Sequence, residues 1–249
     1  MKIFKANSKI KKFFKDWEDG LVLSFLQGYM GFAIVDDKEN PKSVQIVVGD
    51  FSFFAGVANK SLLKEGTASI LTCQNEDWAR EIELFFKDTI IKKKRYKMKS
   101  SVSNFDKDKL ISFINSLDKK YTLKQIDKHL YYKVLSNSWS ADLCSQFKNA
   151  DEFVEKGLGF VILKDGEIIS GASSYVIYDN SIEIEIDTKR EFREKGFATV
   201  CGAKLILECL NKGLLPSWDA QDLRSVALAE KLGFIFDQPY NAYYLVENK

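Results

Sequence analysis

Residues 183–234 of the chain read EIEIDTKREFREKGFATVCGAKLILECLNKGLLPSWDAQDLRSVALAEKLGF. Isoleucine alternates with acidic residues from Ile182 to Asp187, which predicts a strand with one apolar and one acidic face. A loop, REKGFAT (193–199), follows, and after it come an apolar helix, a short strand at PSWDA (216–220) and a second helix. The apolar face of the first strand is expected to pack on the core, and the acidic face to be wet or catalytic.

The loop has the pattern R-x-x-G-x-A at Arg193, Gly196 and Ala198, where the chain turns into a helix. Small residues let a backbone approach a ligand, and the free N–H groups at the positive end of a helix favour a pyrophosphate. Taken alone the pattern is weak, because Arg, Gly and Ala recur by chance and a glycine at a helix start is often only a turn. The order of the surrounding elements therefore decides its meaning.

That order resembles the acyl-CoA-binding core of the GCN5-related N-acetyltransferases (the GNAT superfamily). The segments EIEIDT, FREKGFAT, PSWDA and SVALAEKLGF are more closely similar to a bacterial branch that includes the zwittermicin-resistance acetyltransferase. The resemblance covers about residues 120–249. It implies an α/β fold of the α+β kind, with a mixed, mostly antiparallel, splayed sheet flanked by helices.

The resemblance also implies an N-acetyltransferase that moves an acetyl group from acetyl-CoA to a primary amine of a small molecule or peptide. The amides of residues 193–199 would hold the pyrophosphate, the exposed backbone of the strand would pair with the pantetheine arm like an added strand, and the start of the last helix would border the thioester. The residues assigned to the cofactor are Ile184, Ile186, Arg193, Glu194, Lys195, Gly196, Phe197, Ala198, Thr199, Asp222 and Ser225.

Amide formation from a thioester requires a group that removes a proton from the attacking ammonium. Glu183 and Glu185, on the acidic face of the strand, are the candidate bases, directly or through water. The alternative is that both glutamates form the solvated face of a half-exposed strand. Trp218 is assigned to the core rather than to a ligand.

The sequence departs from the family pattern at three positions. Ala229 stands where many members have a tyrosine that protonates the leaving thiolate, Asp222 stands where asparagine is common, and Glu194 stands where glycine is frequent. The general acid therefore has no assigned residue. A degenerate acyl-CoA-binding or sensing protein stays open as an alternative to an enzyme.

The first part of the chain carries no motif of its own. Leu21–Val35 and Ser43–Val57 are predicted to be paired strands, and a helix is predicted from an N-cap at Asn75 to about Ile91. A polar linker, Lys99–Lys109, would then separate two domains. The predicted domains are an N-terminal α/β accessory domain over residues 1–105, which could be a diverged half, and a GNAT-like domain over residues 106–249.

In the second part, Leu110–Leu135 is predicted to be mainly helical with an interruption near Thr122. From Gly159 the pattern changes to an antiparallel meander of three strands, with DG and DN marking the turns. The segment NAYYLV near the C-terminus is predicted to be a final strand.

The composition of the chain indicates which classes of partner it can bind. The 37 basic and 35 acidic residues leave a net charge of +2, so no overall field attracts nucleic acid. The basic run Lys92–Lys99 is interpreted as a solvated helix C-terminus, and nucleic-acid binding through it is the least favoured alternative. No apolar run approaches the ~20 residues of a membrane span. The four cysteines show no metal-ligand spacing, so no metal site is predicted. The expected location is cytoplasmic. A homodimer is left open.

Overall fold

The computed structural model describes residues 2–3 and 5–246. Contacts divide the chain into two compact units. The first runs up to Arg95 and takes in the chain again from Pro239, and the second is Tyr96–Gln238. The domain boundary predicted between residues 105 and 106 lies later than this division. The accessory role assigned to the N-terminal part stays a prediction.

The first unit contains the helices α1 (Ser8–Lys11), α2 (Gly20–Gln27), α3 (Lys60–Leu63) and α4 (Glu76–Phe86). Its strands are β1 (Lys2–Ile3), β2 (Phe32–Val35), β3 (Ser43–Val48), β4 (Phe51–Gly56), β5 (Ile70–Cys73) and the first part of β6 (Ile90–Lys99).

The second unit contains the helices α5 (Lys107–Asn115), α6 (Lys128–Leu135), α7 (Ala150–Lys156), α8 (Phe197–Asn211) and α9 (Leu223–Leu232). Its strands are the end of β6, then β7 (Thr122–Gln125), β8 (Gly159–Lys164), β9 (Glu167–Tyr178), β10 (Ser181–Thr188), β11 (Leu215–Ser217), β12 (Asp219–Ala220) and the first part of β13 (Ile235–Leu245).

Strands of the second unit lie in the order β11–β10–β9–β8–β7, and only the β10–β11 pair is parallel. The short strand β12 pairs with Tyr96 and Lys97 at the end of β6. The predicted meander β8–β9–β10 is confirmed, with Asp165, Gly166 and Asn180 at positive φ in its turns. Strand β7 lies where an interruption near Thr122 is predicted between two helices.

Strands of the first unit lie in the order β1–β2–β3–β4–β5–β13–β6, and the β4–β5 pair is parallel. Its core contains the buried residues Phe54, Leu62, Leu63, Leu71, Trp78, Ala79, Ile82 and Tyr243. The mixed, mostly antiparallel sheets flanked by helices confirm the predicted fold class. No helix within the described residues has the length and apolar character needed to span a bilayer.

The strand predicted to begin at Leu21 is wrong in its first half, where helix α2 forms instead. Asp19 Oδ1 accepts from the N–H groups of Leu21 (2.9 Å) and Val22 (3.3 Å), and Gly28 ends the helix at a φ of 88°. A capped helix satisfies its own backbone groups, so this apolar segment needs no neighbouring strand. The strand prediction for Ser43–Val57 is confirmed, as the hairpin β3–β4.

The interpretation of Lys92–Lys99 as a helix C-terminus is wrong. Helix α4 begins after the predicted N-cap Asn75 but ends at Phe86, and the basic run lies on β6. Lys92 Nζ pairs with Glu83 at 2.9 Å and Lys99 Nζ pairs with Asp237 at 2.6 Å. These two carboxylates therefore neutralise part of the positive charge that binding of a polyanion would require.

Candidate active site

Strands β10 and β11 lie side by side for three residue pairs and then separate. The last pair joins Glu183 to Ser217. Beyond it, β10 continues to Thr188 without a partner strand on its β11 side among the described residues. We call the gap between residues 184–188 of β10 and strand β12 the fork. An unpaired strand edge of this kind offers backbone donors and acceptors to an extended ligand.

A β-bulge lies where the fork begins. The pairing of β10 with β9 shifts between Glu183, opposite Val176, and Ile184, opposite Ser174, so that Tyr175 is the extra residue. Bulges bend a strand and are frequent next to active sites. The bend therefore coincides with the separation of β10 from β11.

The alternation predicted for β10 is confirmed. A Cβ added at Gly202 of α8 would lie 3.0 Å from Ile186 Cδ1, so the isoleucine face packs against α8. Glu183, Glu185 and Asp187 therefore face away from α8. Glu183 is buried, with 6% exposure, whereas Glu185 and Asp187 are half-buried.

The buried carboxylate of Glu183 accepts hydrogen bonds from two partners at the start of the fork, Ser217 on β11 and Asp219 on β12. The Asp219 N–H donates to Oε1 at 2.6 Å, and the Ser217 hydroxyl donates to Oε2. The Tyr178 hydroxyl in turn donates to Ser217 Oγ at 2.8 Å. A buried carboxylate is tolerable only with such donors.

Asp187 lies nearer the open end of the fork. Burial raises the pKa of its carboxyl to about 6, and the negative charge of Asp142 acts in the same direction. The Thr188 amide and Arg193 oppose this rise in pKa. Asp187 therefore changes charge in the mildly acidic range.

Asp187→Asn is expected to stabilise the protein at pH 7 but not at pH 4. The folded pKa of Asp187 exceeds its ordinary value of 3.8, so the carboxyl lowers the free energy of unfolding as pH rises from about 4 to about 6. Asparagine does not ionise, so the free energy of unfolding of the variant lacks this decrease. Thermal unfolding at the two pH values measures the difference, and the exposed Asp16→Asn is the control. An equal effect of Asp187→Asn at both pH values would contradict the assignment.

The glycine loop leads from β10 into α8, as predicted. Gly196 precedes the helix at a φ of 81°, and a Cβ there would meet no atom within 4 Å, so its surroundings are open. Arg193 Nε donates to Thr188 O at 3.0 Å and ties the loop to the end of the strand. The first N–H groups of α8 have no partner within the helix, and such groups at the positive end of a helix favour an anion.

Side chains of the loop divide into exposed and buried ones. Glu194 and Lys195 are exposed, and Glu194 takes a positive φ of 62°, which is uncommon outside glycine. Phe197 and Thr199 are buried, and Phe197 packs on Tyr121 with ring centroids 4.7 Å apart. These two can contact a ligand only through their backbone amides.

A cavity of about 230 Å³ joins the end of β10, the loop and the first turns of α8 and α9. It brings together five of the predicted cofactor residues: Ile186, Arg193, Ala198, Asp222 and Ser225. It is also lined by residues that the sequence did not indicate as ligands: Asp187, Thr188, Trp218, Gln221, Arg224 and Leu228. Glu183, Ile184 and Glu185, which precede Ile186 on β10, are not among the residues that line it.

Asp222 and Ser225 organise the start of α9. Asp222 Oδ1 accepts from the Ser225 N–H at 2.9 Å, and Oδ2 accepts from Arg224 Nη2 at 2.7 Å. Burial acts to raise the pKa of Asp222, but the hydrogen bonds from Arg224 and Ser225 outweigh it and leave the pKa lowered. Trp218 Nε1 donates to Ser225 Oγ at 3.2 Å. Aspartate at this position is therefore an N-cap.

Ala229, at the usual tyrosine position, is fully buried in α9 and offers no proton donor. Of the tyrosines near the meander, Tyr178 is half-buried and hydrogen-bonded to Ser217. Tyr243 belongs to the first unit, where it donates to Glu83 Oε1 at 2.9 Å. The general acid stays unassigned.

The first unit has no comparable fork among its described residues. Its parallel strands pair from Phe51 and Ile70 to Phe54 and Cys73. At the end of β4, Gly56 O accepts from Trp78 Nε1 at 3.0 Å. Helix α3, which follows, has only four residues.

Comparisons with known proteins agree with this description. A family model described as GNAT acetyltransferase matches residues 11–243. The structure of a GCN5-related N-acetyltransferase-like protein from Streptococcus suis is 40% identical, covers 95% of this chain and 97% of its own, and has a TM-score of 0.92. The uncharacterized N-acetyltransferase YdfB of Bacillus subtilis is 27% identical over 259 residues, with 96% of each chain covered.

A tandem GNAT protein from the clavulanic acid biosynthesis pathway is similar in fold alone. Its TM-score is 0.52 at 10% identity, with 88% of this chain and 84% of its own covered. The matched family model spans both compact units, and the resemblance inferred from residues 183–234 is confirmed at the level of the family. The chain belongs to the GNAT acetyltransferase family.

Proposed function

We propose that the protein transfers an acetyl group from acetyl-CoA to a primary amine of a small molecule or peptide, and that the reaction takes place at the fork. The observation that carries this proposal is the separation of β10 from β11 directly before the glycine loop. The separation exposes a strand edge that leads to the N-terminus of α8. An extended thioester with an anionic end matches both features.

In this proposal the pyrophosphate lies against the amides of Gly196, Phe197, Ala198 and Thr199, at the positive end of α8. The pantetheine arm pairs with the backbone of β10 at Ile184 and Ile186. Arg193 keeps the loop in place through Thr188 O. The exposed side chains of Glu194 and Lys195 flank the diphosphate, and α9, capped by Asp222, borders the arm.

Glu185 is the proposed general base. It lies beyond the last β10–β11 pair, on the strand face turned away from α8. It takes a proton from the ammonium, directly or through water, and the amine nitrogen then attacks the carbonyl carbon. The carbon–sulfur bond breaks and coenzyme A leaves as the thiolate. The thiolate takes up the second proton that the attacking nitrogen loses as it becomes the amide nitrogen.

A protein that binds acyl-CoA without turnover is the second candidate. Ala229, fully buried where a proton donor is common, is the observation that favours it. Product formation with a panel of amines discriminates the two. The narrower likeness to the zwittermicin-resistance branch, a cytoplasmic location and a homodimer remain predictions.

Gly196→Trp is expected to abolish acetyl-CoA binding, which calorimetric titration measures. The space around Gly196 is open and its φ is 81°, so an indole there would block the approach of a diphosphate to the loop. Wild type is expected to bind in the micromolar range, and the variant at least about 100-fold more weakly, equivalent to about 2.8 kcal/mol.

Gly166→Trp is the matched control. Gly166 has a φ of 82° and equally open surroundings, but it lies in the β8–β9 turn. Tryptophan at position 166 therefore imposes the same backbone strain as at position 196, but away from the glycine loop. Failure of wild type to bind acetyl-CoA would refute the proposed function. Equal loss of binding in both variants would show that strain, not the loop, is responsible.

A further inference from the structure

The hydrogen-bond ladder between β10 and β11 is interrupted by a side chain. The Leu215 N–H donates to Asn180 O at 2.8 Å. A parallel ladder repeats every two residues, so its continuation would carry the Asp219 N–H to Ile184 O. Instead, the Asp219 N–H donates to Glu183 Oε1 at 2.6 Å.

The first unit contains the uninterrupted version of this ladder. The Ile70 N–H donates to Asp50 O at 2.8 Å, and four residues later the Gln74 N–H donates to Phe54 O at 2.9 Å. Counted from these starting bonds, Gln74 corresponds to Asp219 and Phe54 to Ile184. The residue that corresponds to Glu183 is Phe53, which is buried and offers no acceptor.

Glu183 is held in this position by more than the Asp219 amide. Ser217 Oγ donates to its second carboxylate oxygen and also lies 3.1 Å from Ile182 O. Tyr178 supplies a further hydroxyl behind Ser217. Ionisable side chains near it on the neighbouring strands include Tyr175 and Tyr178 on β9, Glu185 on β10, Asp219 on β12 and Lys97, which is opposite Asp219 on β6.

We infer that Glu183 is a positioning residue rather than the base. Its carboxylate takes the place of the bond that would continue the β10–β11 ladder from Ile184 O to the Asp219 N–H, and it keeps the fork open for the pantetheine arm. This inference rests on the proposed function. We call the Glu183 carboxylate the wedge. Its oxygen accepts the hydrogen bond from the Asp219 N–H, so the Ile184 carbonyl can accept one from the cofactor. Ser217 and Tyr178 hold the wedge.

Three variants test the wedge. Glu183→Gln keeps the shape and an oxygen for the Asp219 N–H, while its amide can donate to Ser217 Oγ, which has Ile182 O within reach. Its affinity for acetyl-CoA is expected to stay within about threefold of wild type and its turnover to fall less than about tenfold. Glu183→Leu offers no acceptor, so the ladder closes and binding falls at least about 100-fold. Glu185→Gln should bind acetyl-CoA but lose turnover.

Amide hydrogen exchange without ligand gives a readout that does not depend on acetyl-CoA. The leucine variant is expected to gain protection in peptides covering residues 184–188 and 217–220, and the glutamine variant is not.

Two milder variants at Ser217 test the wedge if the leucine variant fails to fold. Ser217→Ala is expected to weaken acetyl-CoA binding, and Ser217→Thr is expected to restore it.

Two results would overturn the inference while leaving the proposed function intact. One is a Glu183→Gln variant that binds acetyl-CoA normally but loses as much turnover as Glu185→Gln, since this is the behaviour of a base. The other is a folded Glu183→Leu variant that binds like wild type. Absence of acetyl-CoA binding in wild type would instead refute the proposed function, and the exchange data would still judge the wedge.

Discussion

Glu185→Gln is expected to reduce turnover at least about 100-fold while leaving the affinity for acetyl-CoA nearly unchanged. A primary amine is protonated at neutral pH and cannot attack a thioester until it loses a proton. Positioned general bases contribute about 10²–10⁴ in rate, and glutamine cannot accept this proton. Steady-state kinetics with an amine acceptor, together with calorimetric titration of acetyl-CoA, separate the two effects.

The pH dependence of kcat/KM makes this test sharper. Asp187 also changes charge in the mildly acidic range, so the profiles of Asp187→Asn and Glu185→Gln are compared: an acid limb due to the base should persist in Asp187→Asn and be absent from the residual activity of Glu185→Gln. Glu167→Gln is the control, because Glu167 is exposed and paired with Lys133 at 2.8 Å, away from the fork. A Glu185→Gln variant with more than about a tenth of wild-type turnover would exclude Glu185 as the base.

The parts of the site that could be predicted from sequence are those set by neighbours along the chain. The alternation of residues 182–187 fixes which side chains face α8, and Gly196 with Ala198 marks the turn into that helix. Outside the site, the predicted N-cap Asn75 accepts from the Trp78 N–H three positions on, whereas Asp222, assigned to the cofactor, makes the same kind of contact with the Ser225 N–H. Such contacts depend on spacing alone, and the structure contains them.

The parts that could not be predicted depend on partners far apart in sequence. The hydrogen bonds of Glu183 involve residues 34 and 36 positions away, Ser217 and Asp219, so the alternation that revealed an acidic face could not separate Glu183 from Glu185. Arg224 was missed as a lining residue of the cavity, because the cavity combines the start of α9 with the end of β10 and the glycine loop. The helix at Gly20–Gln27 was missed for a local reason instead: its apolar composition outweighed the capping signals of Asp19 and Gly28.

Trp78→Ala is expected to lower the free energy of unfolding by about 3–5 kcal/mol. Trp78 is fully buried in the core of the first unit, with its ring centroid 5.0 Å from that of Phe54. Removal of the indole leaves a cavity and also leaves Gly56 O without the Trp78 donor. Urea unfolding of the full chain measures the loss.

Trp78→Phe separates packing from hydrogen bonding at this position. Phenylalanine keeps most of the apolar contact but cannot donate to Gly56 O, so a loss of about 1–3 kcal/mol is expected. Equal losses for both variants would mean that the hydrogen bond, not the volume, dominates.

The first unit also allows a prediction of how many acetyl-CoA molecules each chain binds. The β4–β5 ladder of the first unit runs through the Gln74 N–H, and this bond does not depend on Trp78. Wild type and Trp78→Phe are both expected to titrate with one acetyl-CoA per chain, because, among the residues that the structure describes, a carboxylate interrupts the ladder in the second unit and not in the first. A stoichiometry of two in wild type would mean that an uninterrupted ladder can still admit the cofactor, and the wedge at Glu183 would then not be the feature that distinguishes the two units.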